Sequence, residues 1–409
     1  MTEDRSILLI VTLDTKGEEA EYLKREIEAK GERVILLDVG ILGPSPFRAD
    51  IEPEKVAEIA GANLGKLVSK KDRGEAVTVM AEGARLWALK LFREGCLSGI
   101  IGMGGSAGTT IGSAAMRELP VGFPKMMVST HASGYTRPYV GTKDIVMIFP
   151  VVDLAGLNRI SKKVLYNAAS AICGMVRDQR KKQDNGENLR PLVAITMFGV
   201  TTQCVMKAKR ILEEKGYEIL VFHATGVGGE AMEGLIRDGF FAGVLDVTTT
   251  ELADELVGGI LSAGPHRLEA AGEKGVPQVV IPGALDMVNF GPMDTVPPQF
   301  KERHLYIHNP SVTLMRTTVE ENEALGKLIG SKVSRSRGPV EVFIPLRGIS
   351  AIDAEWQPFY DPMADRAFLR GLKAELKEGI PLVEVDAHIN DDQFSKTIAD
   401  ALHRLITRK

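Results

Sequence analysis

The chain has 409 residues, and since single hydrophobic cores stop growing at about 250–300 residues, two domains of roughly 200 residues each are expected. Hydrophobic residues make up 44% of the sequence and charged residues 25%, the composition of a soluble globular protein. Lys plus Arg (50) nearly balance Asp plus Glu (54), and a net charge of −4 offers no strong field for nucleic acid or an anionic membrane.

The opening MTEDRSILLIVTLD reaches acids and a short apolar strand at once, without the basic and apolar regions of a signal peptide. Ile7 to Val11 is an unbroken apolar run, and Glu18 to Ala29 follows with a helical pattern in which Tyr22, Leu23 and Ile27 share one side. Gly31 stops that helix. Val34 to Leu37 then ends in Asp38, giving strand, helix and strand in about 30 residues, the length of a parallel crossover unit. Wholly apolar strands alternating with amphipathic helices predict a sheet covered on both faces. The rhythm continues through a helix around Glu75 to Phe92, a strand near Gly99 to Ile101, a glycine-rich loop with a helix behind it, and strands at Lys125 to Val128 and Ile145 to Phe149. A helix from Gly156 to Val176 closes a first domain over residues 1–182. The uncharged stretch Cys96 to Met116 has the length of a membrane span, but its glycines and hydroxyls predict a buried strand, loop and helix.

RKKQDNGENLR, residues 180–190, reads as the linker to a second domain over 189–409. There PLVAITMFGVTTQCVMKAKRILEEKGYEILVFHATG repeats the pattern of SILLIVTLDTKGEEAEYLKREIEAKGERVILLDVG, with Thr196 equivalent to Thr12 and KGYEI to KGERV. The expected fold is therefore α/β, two tandem Rossmann-like domains, each a mostly parallel sheet with helices on both faces. Cys96, Cys173 and Cys204 are far apart and odd in number, which suits a reducing cytoplasm and neither a disulfide framework nor a Cys-x-x-Cys metal site.

GMGGSAGTT, Gly102 to Thr110, leaves an apolar strand and enters a helix. Such a turn presents unpaired N–H groups at the positive end of the helix dipole, and glycines let an anion approach them. Gly104, Gly105, Ser106, Gly108 and Thr109 are thus a candidate phosphate cradle, or a tight turn needed only for packing. No Gly-Lys-Ser/Thr closes it, so it is not a Walker A loop. Thr12, Asp14, Thr15 and Lys16 follow the first strand at the edge where open parallel sheets bind ligands. Thr12 and Thr15 can donate to phosphate, Lys16 can neutralise it, and Asp14 can hold magnesium; the alternative is a capping cluster. Asp38 is either a ribose partner or a turn residue.

In the second half, HATGVGGE brings Gly228 and Gly229, DVTTTE brings Thr249 and Glu251, and GALDMVNFG brings Asp286 after an apolar strand. HNPSVTLMRT adds His308, Asn309 and Arg316 in a segment that reads as too polar for core. These residues suggest a second pocket, with helix caps and satisfied structural side chains as the alternative. No zinc pattern, Gly-x-Ser-x-Gly elbow or Cys–His arrangement is present.

TLDTKGEE, GMGGSAGTT, VSTHASG, DVTTTELAD, IPGALDMVNFG, HNPSVTLMRT, IPLRGISAID and DAHINDDQF together resemble the Tm-one-like ATP-binding domain family, bacterial and fungal proteins related to the amino-terminal region of a plant tobamovirus-resistance protein. The resemblance runs from about Ile7 to the end. It implies two Rossmann-like subdomains, ATP with magnesium as ligand, and a homodimer. It places the ATP site on Thr12, Asp14, Thr15, Lys16 and the Gly104–Thr109 turn. In the plant protein a barrel domain follows, so a separately encoded barrel-domain protein is an expected partner; viral inhibition is not carried over.

Three functions follow as expectations. The first is an ATP- and magnesium-dependent enzyme acting on a small anionic substrate in the cleft between the domains. The second is a protein that binds ATP to set its shape for a partner, without turnover. The third, an NAD(P)-dependent oxidoreductase, meets two objections: the glycine loop does not follow the first strand, and the strand after it ends Val128-Ser129-Thr130 with no acid for a ribose.

Overall fold

A strand that is apolar at every position must be covered on both faces, and the first strand shows how this is done. In the computed structural model, which describes residues 5–183 and 189–408, the chain divides into two units, Met1–Glu187 and Asn188–Lys409. The first unit runs β1 (Ser6–Val11), α1 (Leu13–Glu28), β2 (Arg33–Asp38), α2 (Pro53–Ile59), α3 (Leu64–Lys70), α4 (Arg73–Arg93), β3 (Leu97–Gly104), α5 (Ser106–Arg117), β4 (Lys125–Ser129), α6 (Arg137–Val140), β5 (Val146–Ile148) and α7 (Arg159–Gln183). Its five strands form one parallel sheet in the order β2-β1-β3-β4-β5. Ile7, Leu9 and Val11 of β1 pack with Leu23 and Ile27 of α1 and Leu165 and Ile172 of α7. Leu8 and Ile10, pointing the other way, pack with Met80 and Ala84 of α4 and Ile111 of α5. The two faces of one strand thus fix two helical layers, each buried Leu or Ile contributing about 1.5–3 kcal/mol.

The second unit continues with β6 (Leu192–Met197), α8 (Thr202–Glu214), β7 (Glu218–His223), α9 (Val227–Arg237), β8 (Phe241–Thr248), α10 (Thr250–Val257), α11 (Ala270–Lys274), β9 (Gln278–Gly283), β10 (Met287–Phe290), β11 (Leu305–Asn309), β12 (Val312–Arg316), α12 (Val319–Ser334), β13 (Val340–Pro345), α13 (Pro362–Glu375), β14 (Leu382–Val385) and α14 (Asp392–Thr407). Six strands form a parallel sheet ordered β14-β13-β9-β8-β6-β7. The repeat seen in the sequence is topological: β2-β1-β3-β4 and β7-β6-β8-β9 have the same order. Val193 and Ile195 of β6 pack with Val205 and Leu212 of α8 and Phe394 and Leu402 of α14, and Ala194 with Met232 and Ile236 of α9.

Three features depart from the sequence reading. β10, β12 and β11 form a separate antiparallel sheet with β12 in the middle, so the segment that reads as too polar for core buries Leu314, Met315 and Arg316. Leu314 packs with Met287 and Phe359, and Met315 with Val288 and Leu325, so both faces of β12 are covered. The closing helix of the first unit starts at Arg159, not Gly156, because Asn158 Oδ1 accepts the N–H groups of Ile160 and Ser161, each at 2.9 Å, and caps it there. That helix runs to Gln183, over the start of the expected linker, and 184–188 lie outside the described residues. Cys96 to Met116 resolves into β3, a glycine turn and most of α5. Among the described residues no helix is long and apolar enough to cross a membrane.

Candidate functional site

β3 ends at Gly104 and α5 begins at Ser106, with Gly105 as its N-cap. The glycines do different jobs. A Cβ on Gly104 would stand 2.8 Å from Gly108 Cα, and one on Gly108 would stand 3.2 Å from the Met103 carbonyl oxygen. These two let the helix start against the strand. A Cβ on Gly105 would meet only Thr130 Oγ1, at 3.8 Å, so this side of the turn is open. Thr109 donates its N–H to the Gly105 carbonyl at 2.8 Å. Among the described residues nothing accepts the N–H groups of Ser106, Ala107 and Gly108, leaving the unpaired first-turn donors that attract anions. The Thr109 hydroxyl is buried against Ser129 Oγ at 2.6 Å and ties α5 to β4 instead of facing the opening.

The loop after β1 meets this turn. Lys16 (φ −133°, ψ 26°) breaks the first turn of α1 from the rest of the helix. The hydroxyls of Thr12 and Thr15 lie 2.9 Å apart. Asp14 accepts the Leu42 N–H on Oδ2 at 2.6 Å, while its Oδ1 is buried without a partner. Asp38 is wholly buried and fully engaged, accepting the N–H groups of Leu13 at 3.0 Å and Gly40 at 2.8 Å on Oδ1 and the Ser45 hydroxyl on Oδ2. It holds the β1 and β2 loops together.

Thr12, Asp14, Thr15, Lys16, Gly105, Ser106 and Gly108 all line one cavity of about 560 Å³. Gly104, Thr109 and Asp38 are not among its lining residues. The cavity is completed by residues the sequence reading passed over: apolar Val39, Ile41, Leu67, Val68, Val77, Met80 and Ile111, and the charged turn Lys71, Asp72 and Arg73 between α3 and α4. The signal was present as KKDRG, a charge run squeezed between two helices. Asp72 is used as a cap, accepting the Glu75 N–H at 3.0 Å. A second cavity, about 330 Å³ and lined by Arg5, Phe92, Ser98 and Phe123, lies by the amino ends of β3 and β4, away from the carboxyl edge where parallel sheets bind ligands.

The candidates of the second unit fall into separate groups. In the glycine turn before α9, Gly226 and Gly229 donate their N–H groups to Glu251 Oε1 at 2.7 and 3.0 Å. A Cβ on Gly229 would stand 2.1 Å from Glu251 Oε2, and one on Gly228 would stand 1.9 Å from the His223 carbonyl oxygen. The turn is an anion cradle already filled by the chain's own carboxylate. Arg267, wholly buried, neutralises it through Nε at 2.7 Å and holds Asp246 with two contacts of 2.6 Å. Burial pushes the Glu251 carboxyl up, and Arg267 pulls it back. Thr249 is buried, donating its hydroxyl to the Ile281 carbonyl at 3.2 Å.

Asp286 and Arg316 belong to another buried cluster. Asp286 accepts the Ser350 hydroxyl at 2.7 Å and has Oδ1 unpartnered. Burial, then the neighbouring Asp353, pushes its carboxyl up to about 8 against the pull of Arg316. Arg316 donates to the Phe359 carbonyl at 2.8 Å and to Asp365 at 3.2 Å. His308 and Asn309 join neither group: both are exposed on β11, where Asn309 Oδ1 accepts the Ser311 N–H at 2.8 Å and shapes the hairpin. Among the described residues no cluster of three His, Cys, Asp or Glu side chains could hold a metal.

With this geometry in view, residues 5–181 match the N-terminal domain, and residues 190–406 the C-terminal domain, of the Uncharacterised protein family UPF0261. The chain belongs to UPF0261. A UPF0261 protein of Clostridium tetani is 52% identical over 99% of this chain and 100% of its own length. The UPF0261 protein RA0729 of Rhizobium meliloti is 44% identical over 97% of this chain and 98% of its own. The ToMV resistance protein Tm-1(GCR237) of Solanum lycopersicum is 46% identical over 80% of this chain, which spans only 44% of the tomato protein. Among solved structures, one of S. aureus MnaA with UDP is 10% identical and covers 93% of the UPF0261 chain and 99% of its own, with a TM-score of 0.22. The Streptomyces glycosyltransferase SsfS6 with thymidine diphosphate is 10% identical over 98% and 96%, with a TM-score of 0.19. At such identities and scores the likeness says nothing of the ligand.

Proposed function

We propose that the first unit binds ATP with magnesium and supplies it to a small anionic acceptor. The observation that carries this reading is the meeting of three unpaired N–H groups, from Ser106, Ala107 and Gly108, with Lys16 and an apolar wall in one cavity of about 560 Å³. A ligand suited to it has an anionic tail and a flat apolar body. The N–H groups and Lys16 receive the phosphate chain, and Ile41, Val77 and Met80 cover the base. Asp14, with a buried oxygen lacking a partner, suits a magnesium ion held by one carboxylate and the phosphates, not an all-protein cage. When bound, magnesium neutralises charge on the phosphate oxygens. Phosphoryl transfer asks mainly for positioning and positive charge, which Lys16 and the N–H groups provide.

A second reading, in which ATP is bound and not consumed, is favoured by one feature of the cavity. Its two carboxylates, Asp14 and Asp72, are each tied to a backbone N–H, and among its described lining residues there is no histidine to act as base. Calorimetry with ATP, a non-hydrolysable analogue and NAD(P), each with magnesium, followed by phosphate release with a panel of small acids and sugars, separates these outcomes. Binding of both adenine triphosphates is expected. Heat with NAD(P) alone would return the dinucleotide reading, and no heat with any nucleotide ends the proposal.

A further inference from the structure

The cavity of the first unit has a charged wall to which the reading above gives no role. Lys71 and Arg73, on the turn between α3 and α4, line it together with Lys16. Among the described residues none of the three has a carboxylate partner, although neighbouring Lys70 pairs with Glu75 at 2.6 Å. The two acids that line the same space accept backbone N–H groups, Asp14 from Leu42 and Asp72 from Glu75, and among the described residues neither is ion-paired with these cations, while Asp14 Oδ1 has no partner. A chain of net charge −4 therefore gathers three cations against two carboxylates around one space, with no ion pair among them.

Both placements on the turn are locally unfavourable. Lys71 is a non-glycine residue in the left-handed region, φ 54°. Arg73 opens α4, where the positive end of the helix dipole disfavours a cation. Further along each helix the same cavity is met by apolar side chains at helical spacing: Val77 and Met80 lie four and seven residues after Arg73, and Leu67 lies four before Lys71. Each helix thus offers charge at the turn and apolar surface beyond it. A monophosphate seated on the start of α5 needs only Lys16 and the free N–H groups. A longer anion is required to satisfy the α3–α4 wall as well.

We propose that Lys71 and Arg73 form a polyphosphate clamp, making the site select nucleoside di- and triphosphates over monophosphates. This rests on the ATP reading for the identity of the base, but not for the phosphates. Arg73 brings a planar fork suited to bidentate phosphate contact, and Lys71 a point charge.

The test is calorimetry on the full chain with ATP, ADP and AMP, each with magnesium, and with inorganic tripolyphosphate, for the natural protein and the double variant Lys71→Ala/Arg73→Ala. Both side chains are exposed, so the variant is expected to fold, and circular dichroism checks this. Loss of two charge-assisted contacts is expected to weaken ATP, ADP and tripolyphosphate by about tenfold or more while AMP stays within about twofold. A variant that binds ATP and tripolyphosphate as the natural protein does overturns the clamp and leaves the ATP reading standing. Binding of tripolyphosphate but not ATP, lost in the variant, supports the clamp and ends the ATP reading. Binding of neither by the natural protein overturns both.

Discussion

Arg267 Nε and the Glu251 carboxylate stand 2.7 Å apart with neither side chain exposed to solvent. Around that contact the guanidinium also holds Asp246, and the glycine turn before α9 holds the other Glu251 oxygen. Removing one member of a buried ion network leaves uncompensated charge, which typically costs about 3–5 kcal/mol. Arg267→Met is therefore expected to lower the stability of the second unit by that order. The measurement is denaturant unfolding of the full chain with a probe in each unit. A loss below about 1 kcal/mol would mean that the carboxylates are satisfied some other way.

Burial also makes the second unit sensitive to pH. Burial raises the carboxyls of Asp286 to about 8, Asp254 to about 7 and Asp365 to about 7, from an unfolded value of about 3.9. A carboxyl whose folded pKa is raised binds its proton more readily in the folded protein. Its contribution is fully present below the unfolded pKa and is lost as pH rises through the folded one. The second unit is expected to lose stability from about pH 4 to 8, each group contributing at most about 1.4 kcal/mol per pH unit. Asp286→Asn removes one titrating group, so the slope between about pH 6 and 8 should flatten. Urea midpoints taken across that range check it, and an unchanged slope counts against Asp286 as a source.

The parts of the fold set by periodicity were legible in the sequence. Ile7 to Val11 is apolar at every position because both of its faces are covered, and the repeat of the opening pattern after residue 190 corresponds to a repeated strand order. The antiparallel sheet was not legible, because Thr313 and Arg316 look polar in isolation and are made internal only by long-range packing on both faces of β12. In the first unit the glycine turn and TLDTK could be read as one site because both leave adjacent parallel strands at the carboxyl edge. Lys71 and Arg73 could not, since nothing in KKDRG says which way the turn faces. In the second unit the glycine turn looks the same as an open cradle. Only the long-range contact with Glu251, 22 residues on from Gly229, shows that it is filled.

Gly104 and Gly105 should respond oppositely to the same substitution. On Gly104 a new Cβ would press on the Gly108 backbone at 2.8 Å, which a rigid helix start cannot yield. Gly104→Ala is expected to destabilise the first unit by about 1–3 kcal/mol. Gly105 has φ −82° and no atom within 3.8 Å of the new methyl, so Gly105→Ala should be neutral or stabilising by up to about 1 kcal/mol through the unfolded chain. Thermal unfolding of the two variants side by side decides it. Equal losses would show that the turn is uniformly packed and has no open side.

Lys16 and Asp14 face the same cavity, yet they should be separable by magnesium. Lys16 lines the same cavity as the α5 turn, and a charge-assisted hydrogen bond is worth about 1.5–3 kcal/mol. Lys16→Ala should weaken ATP about 10- to 100-fold whether or not magnesium is present. Asp14→Asn keeps an oxygen to accept the Leu42 N–H, so the loop that depends on that 2.6 Å contact is retained. What it loses is the charge that attracts a divalent ion. Its ATP affinity should match or exceed the natural protein's in chelator, where the carboxylate only repels phosphate, and fall behind it when magnesium is added. Titrations of both variants with and without magnesium give the four numbers needed. If Asp14→Asn weakens ATP equally in chelator, the carboxylate serves the loop and not the metal, because a carboxylate that acts only through magnesium cannot favour ATP without it.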